Sequence, residues 1–247
     1  MTFLHPAALL GGAERKHNLH AHVVQSLGSR IVRGELKAGD PFPSEAELGR
    51  EFNASRSVIR EAVKSLAARG LLESRTRTGI RVLLSHHWNL LDIEVLGWRY
   101  EAMPRGQFFQ ELFEVRNMIE PPAAALAAEH ATKADIRAIA AAHAAMVRAD
   151  PETNDAIEAD LSFHRGILSA SHNDLLLQMG NLIGVGLLIS YRISPDSYTV
   201  FLSSHKAVLD GIERRKPAAA QKAMQELLNG TREYLETHLA PTRRRRA

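Results

Sequence analysis

The fold is decided by residues 43–82, which read PSEAELGREFNASRSVIREAVKSLAARGLLESRTRTGIRV. Ser44, followed by Glu47 three positions later, has the pattern of a capping box that begins a helix. Ser55 is placed to cap a second helix, and Gly70 to end it, because glycine adopts a left-handed backbone at little cost. The stretch therefore predicts two short helices joined by a tight turn.

The second of these helices carries a basic stripe. Arg56, Arg60 and Lys64 are each four positions apart, so they share one face, and Ser57 lies beside them. Arginine, hydroxyl groups and free backbone N–H groups in the first turn of a helix suit phosphates and base edges. The alternative interpretation is a solvated charged face on an ordinary helix, and the helix alone does not decide between the two.

A basic hairpin follows this helix directly. The segments 71–72 and 80–84 have the composition of strands, joined by a turn at Thr78-Gly79. Three arginines surround the turn, at Arg75, Arg77 and Arg81. A helix-turn-helix followed by a basic hairpin is the winged-helix arrangement of DNA-binding proteins, which favours DNA contact over a solvated face.

These motifs resemble the GntR family of bacterial transcription regulators, and the FadR subfamily within it. The resemblance covers about residues 17–84, and its motifs are Ile31-x-x-Gly34-x-Leu-x-x-Gly39-Asp, Pro43-Ser-Glu-x-Glu-Leu, Ser55-Arg-x-x-x-Arg-Glu-Ala, Gly70-Leu and Gly79. It implies that the second helix and the wing lie against operator DNA. The residues expected to contact DNA are Ser44, Ser55, Arg56, Ser57, Val58, Arg60, Lys64, Arg77, Thr78 and Gly79. Many members have an arginine where this chain has Ala46, so the operator sequence does not follow from the resemblance.

The composition limits the class of protein. A chain of 247 residues with 45% hydrophobic residues is long enough for two packed domains. It contains no cysteine, which excludes disulfides and thiolate metal sites and fits a cytoplasmic location. The longest apolar run, at 182–189, is too short to span a bilayer, so no membrane partner is expected. Residues 1–16 have no charged start before their apolar patch and are expected to form a disordered leader, not a signal peptide.

The charge is divided unevenly along the chain. Residues 1–90 contain 13 Lys and Arg against eight Asp and Glu, whereas residues 91–242 contain 14 against 20. A basic N-terminal part followed by an acidic C-terminal part is typical of a DNA-binding domain joined to a domain with another function. The tail at Arg243–Arg246 adds four positive charges, which fit either non-specific phosphate contacts or a frayed, solubilising terminus.

After the wing, the sequence predicts helices only. Their expected ranges are 92–103, 106–129, 132–148, 155–170, 174–193, 198–215 and 218–239. Pro121 and Pro122 predict a kink or break in the second of these helices, and Pro195 predicts a break after the fifth. We therefore predict a mainly α fold, with an N-terminal winged helix-turn-helix domain followed by an all-α antiparallel helical bundle. The expected domains are a leader (1–16), the winged domain (17–84), a linker with the first bundle helix (85–105), a helical effector-binding domain (106–240) and a basic tail (241–247).

Three residues of the second half have metal-ligating chemistry. Asp160 and His164 are one helical turn apart, so a carboxylate and an imidazole share a face and could take one cation. His205 lies among apolar residues on a later helix. The alternatives are a surface Asp–His pair and a core histidine that is satisfied by a hydrogen bond.

The second half also resembles the helical FCD effector domain that accompanies many GntR-type winged domains, over about residues 106–240. The matching motifs are Asp160-x-x-Phe163-His164, Ser171-x-Asn173 and His205-x-x-Val-Leu. The resemblance implies that Asp160, His164 and His205 hold a divalent cation, which we expect to be zinc. The last histidine of the family pattern should lie near residues 223–228, where this chain has Leu227. Three protein ligands would leave positions open for water or an acidic effector, and the alternative is that no metal binds.

Arg116 and Glu120 are one turn apart on a helix predicted to be buried, where an arginine needs an anionic partner. The two residues form either an internal ion pair or a clamp for the carboxylate of an effector. Further polar residues expected to line the effector site are Asn117, Asn181, Ser190 and Arg192. The stretch 87–98, HWNLLDIEVLGW, resembles a branch of the family that answers to sugar acids, which implies a hexonate or a similar hydroxy acid as effector.

The sequence thus predicts a homodimeric transcription regulator, not an enzyme, with double-stranded operator DNA and a small organic acid as its ligands. An effector that binds more tightly to the conformation with low DNA affinity would relieve repression, although activation is also open. Two alternatives come from other classes. One is a metal-sensing repressor, in which the cation is the signal. The other is an enzyme that uses a metal held by Asp160, His164 and His205 on a sugar acid.

Overall fold

The computed structural model describes residues 19–75, 79–151, 153–194 and 196–239. These residues fold into two compact units, which divide between Arg105 and Gly106. Apart from one two-stranded sheet, their regular structure is helical, which confirms the predicted fold class. No helix among them has both the length and the hydropathy that crossing a bilayer requires.

The N-terminal unit is a winged helix-turn-helix. Its elements are α1 (Leu19–Val32), α2 (Glu45–Glu51), α3 (Arg56–Ala68), β1 (Leu72–Arg75), β2 (Gly79–Val82), a short 3-10 helix (Ser85–His87) and α4 (Ile93–Ala102). Ser44 and Glu47 form the predicted capping box of α2, and the Ser55 hydroxyl accepts a hydrogen bond from the Val58 amide at the start of α3. Gly70 follows α3 with a φ of +75°, the left-handed conformation that the sequence predicts.

The two strands form the wing. Their register sets Leu72 opposite Val82 and Glu73 opposite Arg81. The first pair is buried, and in the second Nε of Arg81 donates a hydrogen bond to Glu73 at 2.6 Å. Strand β1 continues beyond the predicted segment 71–72 because this cross-strand pairing, and not apolar composition, holds its polar second half.

A shared core joins α4 to the winged helices. Val95 and Trp98 of α4 are buried in the same cluster as Leu27 of α1. A Cβ atom at Gly28 would overlap the Trp98 indole, so this glycine permits the close approach of α1 and α4. The sequence predicts residues 85–105 as a linker together with the first bundle helix. In the structure α4 instead packs on α1, because its apolar side chains complete the core of the N-terminal unit.

The C-terminal unit is a helical bundle. Its helices are α5 (Arg105–His130), α6 (Lys133–Arg148), α7 (Asn154–Ala170), α8 (Asp174–Gln178), α9 (Gly180–Ile193), α10 (Ser197–Val200), α11 (Leu202–Glu213) and α12 (Pro217–Leu239). The most extensive helix pairs are α6 with α7 and α11 with α12. The predicted helix 174–193 divides at Met179 into α8 and α9, and the predicted helix 198–215 divides at Phe201 into α10 and α11.

Helix α5 continues through Pro121 and Pro122, so of the kink or break that these prolines predict, the break does not occur. Each proline removes one backbone hydrogen bond from the helix. The turn that follows is nevertheless held by packing, since Ala123 is fully buried in a cluster with Leu168 of α7 and Ile183 of α9. Tertiary contacts therefore outweigh the local helix-breaking preference of proline.

Candidate functional site

Three predicted ligand residues meet inside the C-terminal unit. Asp160 and His164 lie one turn apart on α7, and His205 comes from α11. All three residues are at most 4% exposed. Nε2 of His164 lies 3.4 Å, and Nε2 of His205 3.3 Å, from the same oxygen, Oδ1 of Asp160. One potential ligand atom from each residue lies within 4.8 Å of the others, so a single cation could reach all three.

Hydrogen bonds behind the imidazoles fix the orientation of both rings. Nδ1 of His164 bonds to the Glu120 carboxylate, and Nδ1 of His205 bonds to the Phe201 carbonyl at 2.7 Å. A carbonyl and an ionised carboxylate only accept hydrogen bonds, so Nδ1 carries the hydrogen in both rings. The Nε2 atoms, which face Asp160, are therefore the ones available to a metal.

The buried charges of this site depend on one another. Burial raises the pKa of Glu120, but the Arg116 guanidinium, 2.6 Å away, and His164 outweigh burial and hold that pKa at about 2. Burial also raises the pKa of Asp160, and the two imidazoles outweigh it and hold this pKa well below its usual range. Burial lowers the pKa of His164, whereas Glu120 and Asp160 raise it to about 9. The site thus stabilises positive charge beside Asp160, as a proton or as a metal cation.

The residues present fit a divalent cation. Oδ1 of Asp160 is buried and makes no hydrogen bond within the described part of the chain. Its distances to the imidazoles exceed the roughly 2.7–2.9 Å of a charge-assisted bond. A buried carboxylate oxygen that has only these long contacts is incompletely satisfied, and a cation between it and the imidazoles would complete its interactions. One carboxylate and two imidazoles form a donor set that zinc and related divalent metals take.

A small cavity adjoins these ligands. Its volume is about 20 Å³, which is room for one or two water molecules. The lining residues are Arg116, Asp160, His164, Leu187, Ser190, Ser197, His205, Leu227, Leu228 and Thr231. Leu227, at the position where the family pattern would have a histidine, is therefore part of the wall beside the three ligands. Ser197 and Thr231 also line the cavity, which the sequence analysis did not predict. The position of Thr231, one helical turn after Leu227, could have indicated it.

The residues predicted to bind the effector are placed differently from one another. Arg116 and Ser190 line the cavity, and Nη1 of Arg116 is buried without a hydrogen-bond partner among the described residues. Glu120 is not a lining residue, because it bonds to Arg116 on one side and to His164 on the other. Its role as the orienting partner of His164 was missed, because sequence spacing does not relate α5 to α7.

The remaining predicted effector residues do not line the cavity or are not described. Asn117 donates to the Phe113 carbonyl and accepts from the Gln225 amide of α12, so it joins two helices. Asn181 is half-buried in α9 and is not a lining residue. The backbone of Arg192 lies in α9, and its side chain lies outside the described part of the structure.

The predicted DNA-contacting residues that the structure describes lie at the start of α2, along α3 and at the start of β2. Those with exposed side chains are Ser44, Ser55, Arg56, Ser57, Arg60 and Lys64. Val58 is half-buried, and Gly79 begins β2 with a φ of +78°. Arg77 and Thr78 lie outside the described residues. The basic stripe is thus accessible on one helix face, as the spacing predicts.

Two family models match the chain. The model described as bacterial regulatory proteins, gntR family, matches residues 19–82, and the FCD domain matches residues 111–230. The galactonate operon transcriptional repressor of Escherichia coli K12 is 34% identical over 229 residues, which cover 87% of this chain and 96% of that protein. The chain belongs to the GntR family.

Further relatives of this GntR protein are also transcription regulators. LutR of Bacillus subtilis is 30% identical and covers 83% of this chain and 95% of its own. The Glc operon transcriptional activator of Escherichia coli K12 is 29% identical, with 83% and 84% covered. A solved structure of Lar, described as controlling the agr system of Listeria monocytogenes, shares the fold, with a TM-score of 0.64 at 19% identity over 91% of this chain and 99% of that one. The GntR protein is a DNA-binding transcription regulator, and its relatives give no support to the enzyme alternative.

Proposed function

We propose that this GntR protein represses a sugar-acid catabolic operon and leaves its operator when an organic acid binds in the C-terminal unit. The proposal is carried by the buried set of Arg116, Asp160, His164 and His205 around one cavity. Nη1 of Arg116 is an unpartnered donor that suits a carboxylate oxygen. Similarity to the galactonate operon repressor supports a hexonate as the effector.

The metal ligands would be Asp160, His164 and His205, and the cation we propose is zinc. When bound, it would supply a Lewis-acidic position for carboxylate or hydroxyl oxygens. Glu120 holds His164 in the orientation that such binding needs, through the hydrogen bond to Nδ1. Leu227, which lines the same cavity, offers no ligand atom, so the effector itself would complete the coordination.

The size of the cavity links effector binding to a change of conformation. Ligand pockets usually hold roughly 300–1,000 Å³, far more than the about 20 Å³ found here. A hexonate would therefore select a conformation in which the wall has moved, and Ser197 on the four-residue helix α10 is part of that wall. If the expanded conformation binds the operator weakly, effector and operator oppose each other by linkage.

On DNA, the exposed face of α3 would enter the major groove and the wing would follow the phosphate backbone. Two copies would form a homodimer that binds a palindromic operator in the cytoplasm. We propose repression and not activation, because the galactonate operon relative, at 34% identity, is a repressor. The Glc operon relative, at 29% identity, is an activator.

The test combines binding of small molecules with binding of DNA. A duplex that the protein enriches from a random library would serve as the operator. Thermal unfolding is followed with hexonates and dicarboxylates, with and without a chelator, because a ligand at one hundred times its Kd stabilises by about 2.7 kcal/mol. The same compounds are then added to the protein–duplex complex, and fluorescence anisotropy reports its release.

We expect a hexonate to stabilise the protein, to release the duplex, and to lose both effects when the chelator is present. Release that survives chelation would retain the effector and remove the metal. Release that follows divalent cations and ignores organic acids would identify the metal-sensing repressor instead. A hexonate that strengthens duplex binding would contradict the proposed release of the repressor by its effector.

A further inference from the structure

Arg60 of α3 is held by a carboxylate from the neighbouring helix. Its Nε and Nη2 donate to Oε1 and Oε2 of Glu45, each at 3.3 Å. This arrangement is bidentate, so it constrains both the position and the plane of the guanidinium. Glu45 is the first residue of α2, and the capping box of Ser44 and Glu47 fixes the backbone at that point.

The other cations of the basic stripe are held differently. Arg56 forms no ion pair with a described residue. Lys64 pairs with Glu61 at 2.8 Å on the same helix. An ammonium group is a point charge without a plane, so that pair does not set an orientation. Arg60 is the member of the stripe whose side chain a second helix orients.

The pairing leaves a defined part of the Arg60 guanidinium free. Nε and one hydrogen of Nη2 are directed at Glu45, which leaves Nη1 and the second hydrogen of Nη2 on the end of the fork. Two parallel N–H groups at the end of an arginine match the O6 and N7 acceptors of guanine in the major groove. The Arg60 side chain is 61% exposed, so this end is accessible.

We propose that Glu45 is a specificity-determining residue, which directs Arg60 to a base edge and withholds it from phosphates. The inference rests on the DNA face assigned to α3 under the proposed function. An arginine without a partner adjusts to any nearby phosphate, which adds affinity for every sequence through counter-ion release. Pairing with Glu45 restricts that freedom, and the carboxylate repels a misplaced phosphate.

The test measures the ratio of specific to non-specific DNA binding. The probes are a duplex that the wild-type protein enriches from a random library and a scrambled duplex of equal length and composition. Glu45→Gln keeps the shape of the side chain and removes its charge. We expect the ratio to fall about tenfold, and the salt dependence of scrambled-duplex binding to steepen by about one ion, as Arg60 becomes free to reach a phosphate.

A double-mutant cycle separates a direct role of Glu45 from general electrostatics. The double variant Glu45→Gln with Arg60→Ala should have the same ratio of specific to non-specific binding as Arg60→Ala by itself, because there is no guanidinium to orient. Glu61→Gln is the matched control, since it removes the same charge from the pair with Lys64 on α3 itself. It should change the affinities for both duplexes by similar factors and leave the ratio constant.

The possible results are distinguishable. An unaltered ratio in Glu45→Gln overturns the inference, and so does an equal loss in the presence and absence of Arg60. Equal ratios for Arg60→Ala and the wild type would overturn the assigned DNA face as well. If the ratio of specific to non-specific binding falls in Arg60→Ala and is unchanged in Glu45→Gln, the assigned DNA face stands and only the role of Glu45 is rejected.

Discussion

Glu120 connects Arg116 to His164 through its two carboxylate oxygens. Oε1 accepts a hydrogen bond from Nε of Arg116 at 2.6 Å, and Oε2 bonds to Nδ1 of His164 on α7. With a pKa of about 2, the carboxylate is ionised throughout the neutral range. One buried group therefore neutralises an arginine and also orients a predicted metal ligand. The internal ion pair, left as an alternative by the sequence, is present together with this further contact.

Replacing Glu120 with Gln should weaken both the fold and the metal site. The substitution leaves the Arg116 guanidinium buried without a counter-ion, which costs about 3–5 kcal/mol of unfolding free energy. Loss of the charged partner of His164 should also lower metal affinity by roughly 10–100-fold. Chemical denaturation and competition with a chelator measure the two effects. Glu129→Gln, exposed near the end of the same helix, is the control and should change neither quantity.

The double substitution Asp160→Ala with His164→Ala should remove bound metal from the purified protein, because it takes away two of the three ligands. Elemental analysis measures the metal content. The matched control is Asp135→Ala with His172→Ala, which removes an Asp–His pair at 3.0 Å away from the cavity, with His172 exposed and Asp135 half-buried. Equal metal in the wild type and both variants would exclude the site.

Operator binding should depend on the stripe of α3. Arg56→Ala with Arg60→Ala should weaken the binding free energy by about 1–3 kcal/mol for each base-specific hydrogen-bonded pair that the variant can no longer form. Anisotropy titration of the selected duplex measures this weakening. Two exposed cations of the same unit, Arg33 and Lys37, provide a double-alanine control that removes the same charge. Similar weakening in both double variants would show that charge alone, and not this face, controls binding.

Trp98→Ala should destabilise the N-terminal unit by about 3–5 kcal/mol, because a large buried side chain is removed from its core. The chain has two tryptophans, and the remaining one, Trp88, belongs to the same unit. Its fluorescence during denaturation therefore reports on that unit. Leu84→Ala removes a side chain that is 57% exposed and should shift the transition by less than about 0.5 kcal/mol. A normal transition in Trp98→Ala would mean that α4 does not belong to this core.

The winged unit could be predicted from the sequence because its signals are local. The capping box at Ser44, the cap at Ser55 and the left-handed Gly70 each depend on residues within a few positions. The same holds for Asp160 and His164, which one turn of helix places together. Spacing within one element fixes these relationships before any tertiary contact forms.

Contacts between distant elements could not be predicted in this way. Neither the bond from Glu120 to His164 nor the pairing of Arg60 with Glu45 follows from the spacing within one helix. The packing of α4 on α1 requires a glycine at position 28, where a Cβ atom would overlap the Trp98 indole. No periodicity in the sequence relates these two residues. The division of a predicted helix at Met179 likewise lacks a proline or glycine before the break.

The two prolines of α5 have a mechanical consequence. They follow Glu120 directly, so the carbonyls of Asn117 and Met118 have no amide hydrogen one turn ahead of them. Backbone hydrogen bonds between successive turns resist bending of a helix. The absence of two consecutive bonds therefore makes the turn easier to bend. Helix α5, which carries Arg116 and Glu120, therefore lacks two consecutive backbone hydrogen bonds in the turn that leads from these residues to the prolines. A ligand that binds the Arg116 guanidinium would act on a turn of α5 that the two missing hydrogen bonds make easier to bend.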